Sequence, residues 1–395
     1  MKPLIGIVLC AVACPALAQS SIDSLRSMYD GTLLPDAQVD VLSHTERLLP
    51  TRIVHHGRPA PALRKRAQPF PAIHFEDHGR SFDLYDYLSS NRVAGILVLK
   101  NGEVAFESYQ LGTRPDTHWA SFSMAKSLAS TLIGVALRDG DIASLDDAVD
   151  KYVPALKDGA YAGVSIRQVL MMSSGVCWNE TYTDPKSDRR KVLELQIAHT
   201  VGATLRYMGA LPRCGPPGSI WNYNTGETFV LGAVIEGATH RSLADDLSEK
   251  IWKPAGMERD ATWWVESEHG GAGWAGTGFS ATLRDYGRVA LLAADEGRIG
   301  GRAIVPDRWF EDAGAAHDIG GKKVDYGYMW WIPSQACPEH AGAFEAIGIF
   351  GQFMYINPRE HLAVVVLSAR SKPAETGRLE LDDDAFFAAV VKALH

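Results

Sequence analysis

"SFSMAKSLAS" occupies residues 121–130, and it sets Lys126 three positions after Ser123. The apolar residues that follow, Leu128, Leu132 and Val135, keep helical spacing until Gly140. This predicts a helix that starts at about Ser123 and stops near Gly140. On a helix, residues i and i+3 share a face, so the lysine amine comes within reach of the serine hydroxyl. A lysine made neutral by burial accepts a serine proton, and a helix N-terminus favours negative charge developing nearby. The competing reading is an ordinary surface lysine. Ser-x-x-Lys occurs once in the chain, and about one such match is expected by chance, so the pair needs partners before it means catalysis.

The 395 residues suffice for one large domain or two smaller ones, and 46% hydrophobic with 22% charged residues is an ordinary globular balance. A net charge of −8 and a pI of about 5.9 speak against nucleic acid as a partner. The short run Arg64-Lys65-Arg66 sits in a Pro-rich stretch and reads as solvated. "MKPLIGIVLCAVACPALAQS" carries Lys2, an apolar run and small residues at Ala16 and Ala18. This is a secretory leader pattern, with cleavage expected after Ala18 and a periplasmic or secreted destination. The run is too short to remain as a membrane span, so no stable membrane insertion is expected.

The rest divides as follows. Residues 19–75, with Pro59, Pro61, Pro69 and Pro71, read as an irregular arm. Two alternating runs flank Asn101-Gly102, a strong hairpin signal. Residues 141–290 read as a mainly helical insert, including "SIRQVLMMSSG", with Ser165 as cap and Gly175 as stop, and "GETFVLGAVIEGAT". Strands return in "DYGYMWWIP", "AFEAIGI", "FMYINP" and "LAVVVLSA", and a last helix begins near Asp383. The fold class expected is α+β: a mostly antiparallel sheet from residues 76–140 and 291–395, flanked by helices from both ends of the chain.

Two further stretches bear on chemistry. "PPGSIWNYNTGETFVLG" puts Tyr223 in a polar loop just before an apolar helix. A tyrosine beside a cation relays protons; a tyrosine that merely packs its ring is the plainer reading. "AFEAIGIFGQFMYINP" reads as strand, turn and strand, where an edge N–H meets a substrate oxygen and Gly348 permits close approach. The loop "GVCWNETYTDPKSDRR" reads either as plain surface or as a lid with Trp178, Glu180 and Tyr182 facing substrate. The 13 histidines show no metal spacing, there is no phosphate loop and no Gly-x-Ser-x-Gly elbow, and no cofactor is implied.

Together the three motifs resemble the serine β-lactamase and penicillin-binding protein superfamily, from about residue 80 onward. The chain looks most like the class C-type branch that includes esterases and 6-aminohexanoate-oligomer hydrolases. The resemblance implies Ser123 as nucleophile, Lys126 as its base and Tyr223 as proton shuttle. It places Thr225 where many relatives have Asn or Ser. It also implies an oxyanion hole from the backbone N–H groups of Ser123 and Ile349, with Ile347 and Gly348 along the substrate. The third motif departs from the family: Ala346-Ile347-Gly348 stands where Lys-Thr-Gly or His-x-Gly is usual. Losing that cation removes about 1.5–3 kcal/mol of charge-assisted recognition of a substrate carboxylate. The expectation is therefore a small amide or ester substrate. A β-lactamase or DD-peptidase, or a non-catalytic binding protein on the same fold, is the rival, and the oligomeric state stays open. If the lid base and the "LPRCGPPG" loop rim one site, Cys177 and Cys214 are neighbours able to form a disulfide, which leaves Cys337 free.

Overall fold

A computed structural model describes residues 21–373 and 380–395. The expected leader over residues 1–18 lies outside the described residues.

The main sheet has five antiparallel strands. Their order is Phe344–Gly348, Gln352–Asn357, Leu362–Ser368, Val93–Lys100 and Glu103–Tyr109. The central strands, "LAVVVLS" and "VAGILVLK", are apolar at nearly every position because helices cover both faces. Side chains alternate between the faces. Ile96, Val98, Val364 and Val366 meet Phe386, Phe387 and Val390 of the C-terminal helix Asp383–Leu394. Leu97, Leu99, Val365 and Leu367 belong to the opposite core, shared with the serine helix Met124–Asp139 and the helix Leu283–Ala294. The Asn101-Gly102 turn has φ of 54° and 74°, the left-handed pair that a two-residue hairpin needs.

Four expectations change. The arm expected over 19–75 contains the helices Ser21–Tyr29 and Pro35–Ser43 and the strand Thr51–Val54. Leu25, Met28 and Tyr29 follow helical spacing and are buried, and Pro35 opens its helix in the first turn, where proline is tolerated. The 141–290 insert is not wholly helical. It supplies Ala261–Ser267 and Phe279–Thr282 to a second sheet, ordered Thr51–Val54, Ala261–Ser267, Phe279–Thr282 and His118–Ala120, and its last helix starts at Leu283 against the main sheet. "DYGYMWWIP" forms isolated bridges and no strand, because Met329 takes a left-handed φ of 62° that folds the segment back. Ser165 does cap its helix, but that helix ends at Leu170, before Gly175.

Candidate active site

The strand His118–Ala120 of the second sheet delivers the chain to the serine helix, and Ser121 N–H donates to the Phe279 carbonyl at 2.8 Å. Phe122 then adopts φ 45°, strained for a residue with a side chain. Its ring is held between Tyr29 and Phe350, with centroids 6.4 and 4.9 Å away. Ser123 is the N-cap of the helix, yet its side chain caps nothing. Its Oγ instead accepts a hydrogen bond from Lys126 Nζ at 2.9 Å.

Lys126 is 1% exposed, and its Nζ also donates to the Gly276 carbonyl at 3.0 Å. Among the described residues no carboxylate is bonded to it. Burial lowers its pKa from 10.5 to about 7; Glu180 nearby opposes the shift and Arg189 adds to it. At neutral pH much of this lysine is therefore a free amine facing the serine hydroxyl. The Tyr223 ring lies 5.2 Å from Nζ, and its hydroxyl is in hydrogen-bonding contact with Ser123. Burial, reinforced by Glu180, pushes the Tyr223 hydroxyl far above its ordinary value, while Ser123 and Arg189 pull against it. Tyr223 is thus held as a protonated phenol beside Ser123, and Lys126 is the group near neutrality that faces the serine hydroxyl.

The strand Phe344–Gly348 borders this group. Glu345 exchanges both backbone hydrogen bonds with Trp331, at 2.8 and 2.9 Å, on the side away from its partner strand. Strand alternation puts the Ile347 backbone groups on that same open edge; the strand ends at Gly348, and Ile349 lies in the turn that follows. A Cβ on Gly348 would stand 2.5 Å from the Ser121 carbonyl, so strand and serine turn meet backbone to backbone. Ala346 is buried in the core and brings no charge.

The residues expected on a lid divide. Trp178 and Thr225 are buried, and with Glu180 they bind one another. Thr225 N–H donates to Glu180 Oε2 at 2.9 Å, while Thr225 Oγ1 and the Trp178 indole N–H also donate to this carboxylate. They join the Trp178–Tyr182 segment to the helix Thr225–Thr239 that follows Tyr223. Tyr182 lies near Tyr223: burial first, then Glu180 and Tyr223, raise the pKa of its hydroxyl, and Arg189 opposes them. Cys177 and Cys214 form a disulfide with Cα atoms 5.0 Å apart, and Cys337 is free.

Sequence reading missed two sets of neighbours. Trp331 stacks on Tyr223 at 5.3 Å, with Tyr326 at 6.1 Å from Tyr223 and Trp221 at 6.1 Å from Trp331, which gives the site an aromatic wall. The signal was the aromatic density of "DYGYMWW", read there as strand. Arg189 is buried, stacks over Tyr29 at 4.7 Å, and its Nη1 has no partner among the described residues. It looked like one more surface charge in "SDRRK". Among the described residues no group of three or more His, Cys, Asp or Glu could hold a metal, and no helix is long and apolar enough to cross a membrane.

The chain is similar to known hydrolases. A 6-aminohexanoate-dimer hydrolase of Paenarthrobacter ureafaciens is 30% identical over 342 residues, covering 82% of this chain and 84% of that protein. Esterase EstB of Burkholderia gladioli is 27% identical over 188 residues, covering 43% of this chain and 47% of its own. Among solved structures, a Bacillus anthracis protein assigned provisionally as a 6-aminohexanoate-dimer hydrolase superposes with a TM-score of 0.72 at 25% identity, covering 85% of this chain and 89% of its own. The Beta-lactamase family model matches residues 87–389. Matched over that much of its length, with hydrolases as relatives, the chain belongs to the beta-lactamase family and is a serine hydrolase.

Proposed function

We propose that the protein cleaves a linear amide or ester through an acyl-enzyme on Ser123. The observation that carries this is the 2.9 Å contact between Ser123 Oγ and a buried Lys126 with a pKa of about 7. Lys126 takes the serine proton as Oγ attacks the substrate carbonyl. The backbone N–H groups of Ser123 and Ile349 stabilise the oxyanion. As the tetrahedral intermediate collapses, Tyr223 protonates the leaving amine or alcohol and recovers a proton from the Lys126 ammonium. Water then attacks the ester carbonyl while Lys126 and Tyr223 take its proton; as the bond to Ser123 Oγ breaks and the acid leaves, that proton passes to Oγ and the free serine is restored.

What lines the site supports this substrate class. Ala346 supplies no cation for a carboxylate, and Trp331 and Trp221 offer an apolar wall. The relatives named for 6-aminohexanoate-dimer hydrolysis and for esterase activity support a linear amide or ester over a β-lactam. The leader pattern over residues 1–18 and the disulfide together support export to an oxidising compartment, with cleavage after Ala18.

The test is a panel of short p-nitrophenyl esters, 6-aminohexanoate dimer and a chromogenic cephalosporin, with wild type and Ser123→Ala. Labelling by a fluorophosphonate on the Ser123 peptide, lost in the variant, is expected. A cephalosporin kcat/KM above every ester and linear amide would reverse the substrate assignment. An adduct that persists in Ser123→Ala would remove the nucleophile.

A further inference from the structure

We infer that Glu180 is a positioning residue: its carboxylate clasps the Trp178–Tyr182 segment onto the first turn of the Tyr223 helix, fixing Tyr223 and placing negative charge beside the Ser123–Lys126 pair. This rests on the hydrolase reading above and assigns Glu180 a role other than contact with substrate.

Tyr223 is bracketed. On its N-terminal side, Asn222 Nδ2 donates to the Trp178 carbonyl at 3.2 Å. On its C-terminal side, Thr225 gives Glu180 both its backbone N–H, at 2.9 Å, and its hydroxyl. The Trp178 indole N–H completes the set on the same carboxylate. Thr225 opens the helix Thr225–Thr239, so the carboxylate accepts the first N–H at the positive end of a helix dipole, one that has no partner within the helix. Trp178 and Thr225 are 8% and 5% exposed, so these bonds are shielded from water. The segment is also pinned at its base by the Cys177–Cys214 bond. Any movement of the segment therefore drags the backbone on both sides of the proton donor.

The charge matters as well as the clasp. The groups on which Glu180 acts come from five segments around the site: Lys126, Tyr223, Tyr182, Tyr29 and Tyr326. Arg189, on the helix Asp188–Ile197, acts on Lys126 and Tyr223 with the opposite sign. Glu180 favours the ammonium form of Lys126 and disfavours the phenolate of Tyr223, so its loss lets Lys126 discharge at lower pH. A role confined to folding would slow the enzyme without moving its titration.

The experiment measures the rate of Ser123 labelling by a fluorophosphonate against pH, and kcat on the best substrate of the panel. Four proteins are compared: wild type, Glu180→Gln, Glu180→Ala and Thr225→Val. Glu180→Gln keeps the size and an acceptor but removes the charge. Its acid limb is expected at least about half a pH unit below that of wild type. Glu180→Ala is expected to lose about tenfold or more in kcat, partly restored in Glu180→Gln. Thr225→Val keeps the charge and breaks one bond of the clasp, so kcat falls and the limb stays in place. An unmoved limb in Glu180→Gln, or wild-type kcat in Glu180→Ala, overturns the inference. If the Glu180 variants fail to fold, wild-type kcat in Thr225→Val overturns it. Should wild type itself fail to label, the hydrolase reading falls, and this one with it; labelling with an unmoved limb refutes the role of Glu180 alone.

Discussion

Replacing Lys126 by methionine is expected to abolish activity and, at or below neutral pH, to stabilise the fold. The unfolded lysine titrates at 10.5 and the folded one at about 7 because it is buried. Folding at pH 7 must therefore discharge it, at a cost of about 4 kcal/mol. Methionine removes that cost but loses the bonds to Ser123 Oγ and the Gly276 carbonyl. Those are worth about 1 kcal/mol each, with a further penalty for the carbonyl left unpaired. The balance is about 1–2 kcal/mol in favour of the variant at pH 7. The sign with pH follows from proton counting. Between the two pKa values the unfolded wild type holds the extra proton, so wild-type stability rises with pH from about 7 to about 10.5; below that window the penalty is constant and full. The variant lacks this slope, so its advantage shrinks by about 2–3 kcal/mol between pH 6 and 9. Urea denaturation of both proteins at those two pH values, compared at equal m, measures it. A difference that does not change with pH, or a wild type more stable than the variant at pH 6, would refute a buried lysine held near neutrality.

Tyr223→Phe removes the proton donor and is expected to lower kcat by about 10²–10⁴, while fluorophosphonate labelling of Ser123, which has a good leaving group, survives. Gly348→Ala places a methyl 2.5 Å from the Ser121 carbonyl and 2.4 Å from Gln352 Oε1; a loss of about 1–3 kcal/mol in denaturation and a larger loss in kcat than in KM are expected. Glu227 is buried, accepts from Ser174, and has its pKa pushed from 4.5 up to about 8 by burial. Wild-type stability should therefore fall as pH rises from about 4.5 to about 8, and Glu227→Gln should flatten that fall in denaturation midpoints measured across the window. Converting Cys177 and Cys214 to alanine opens a bridge spanning a sequence separation of 37, with an expected loss of about 3–4 kcal/mol in the entropic model, read by comparing midpoints with and without reductant.

What could be read in advance was what the chain decides locally. Ser123 and Lys126 are one helical turn apart, so their contact follows from the helix itself. The Asn101-Gly102 hairpin and the apolar central strands needed only their own residues. Gly348 was legible as a point of close approach, although the partner, the Ser121 carbonyl, was not. What escaped depends on pairings that no periodicity records. "SIDSLRSMYD" has ordinary helical spacing, but the prolines that follow it drew the reading toward an irregular arm, and nothing in it says that Tyr29 lies against Phe122 and Arg189. Arg189 in a basic run looks solvated until the stacked ring beneath it is known. Glu180 offers the sharpest case. A carboxylate in a polar loop before the Tyr motif suits a substrate contact as well as a clasp, and only the Thr225 N–H, left unpaired by the start of a helix, decides between them. The chemistry of the site is written in short motifs, while the orientation of its proton donor is held by contacts between segments far apart in the chain; substitutions at Glu180 and Tyr29 should therefore disturb turnover without touching any of the three motifs.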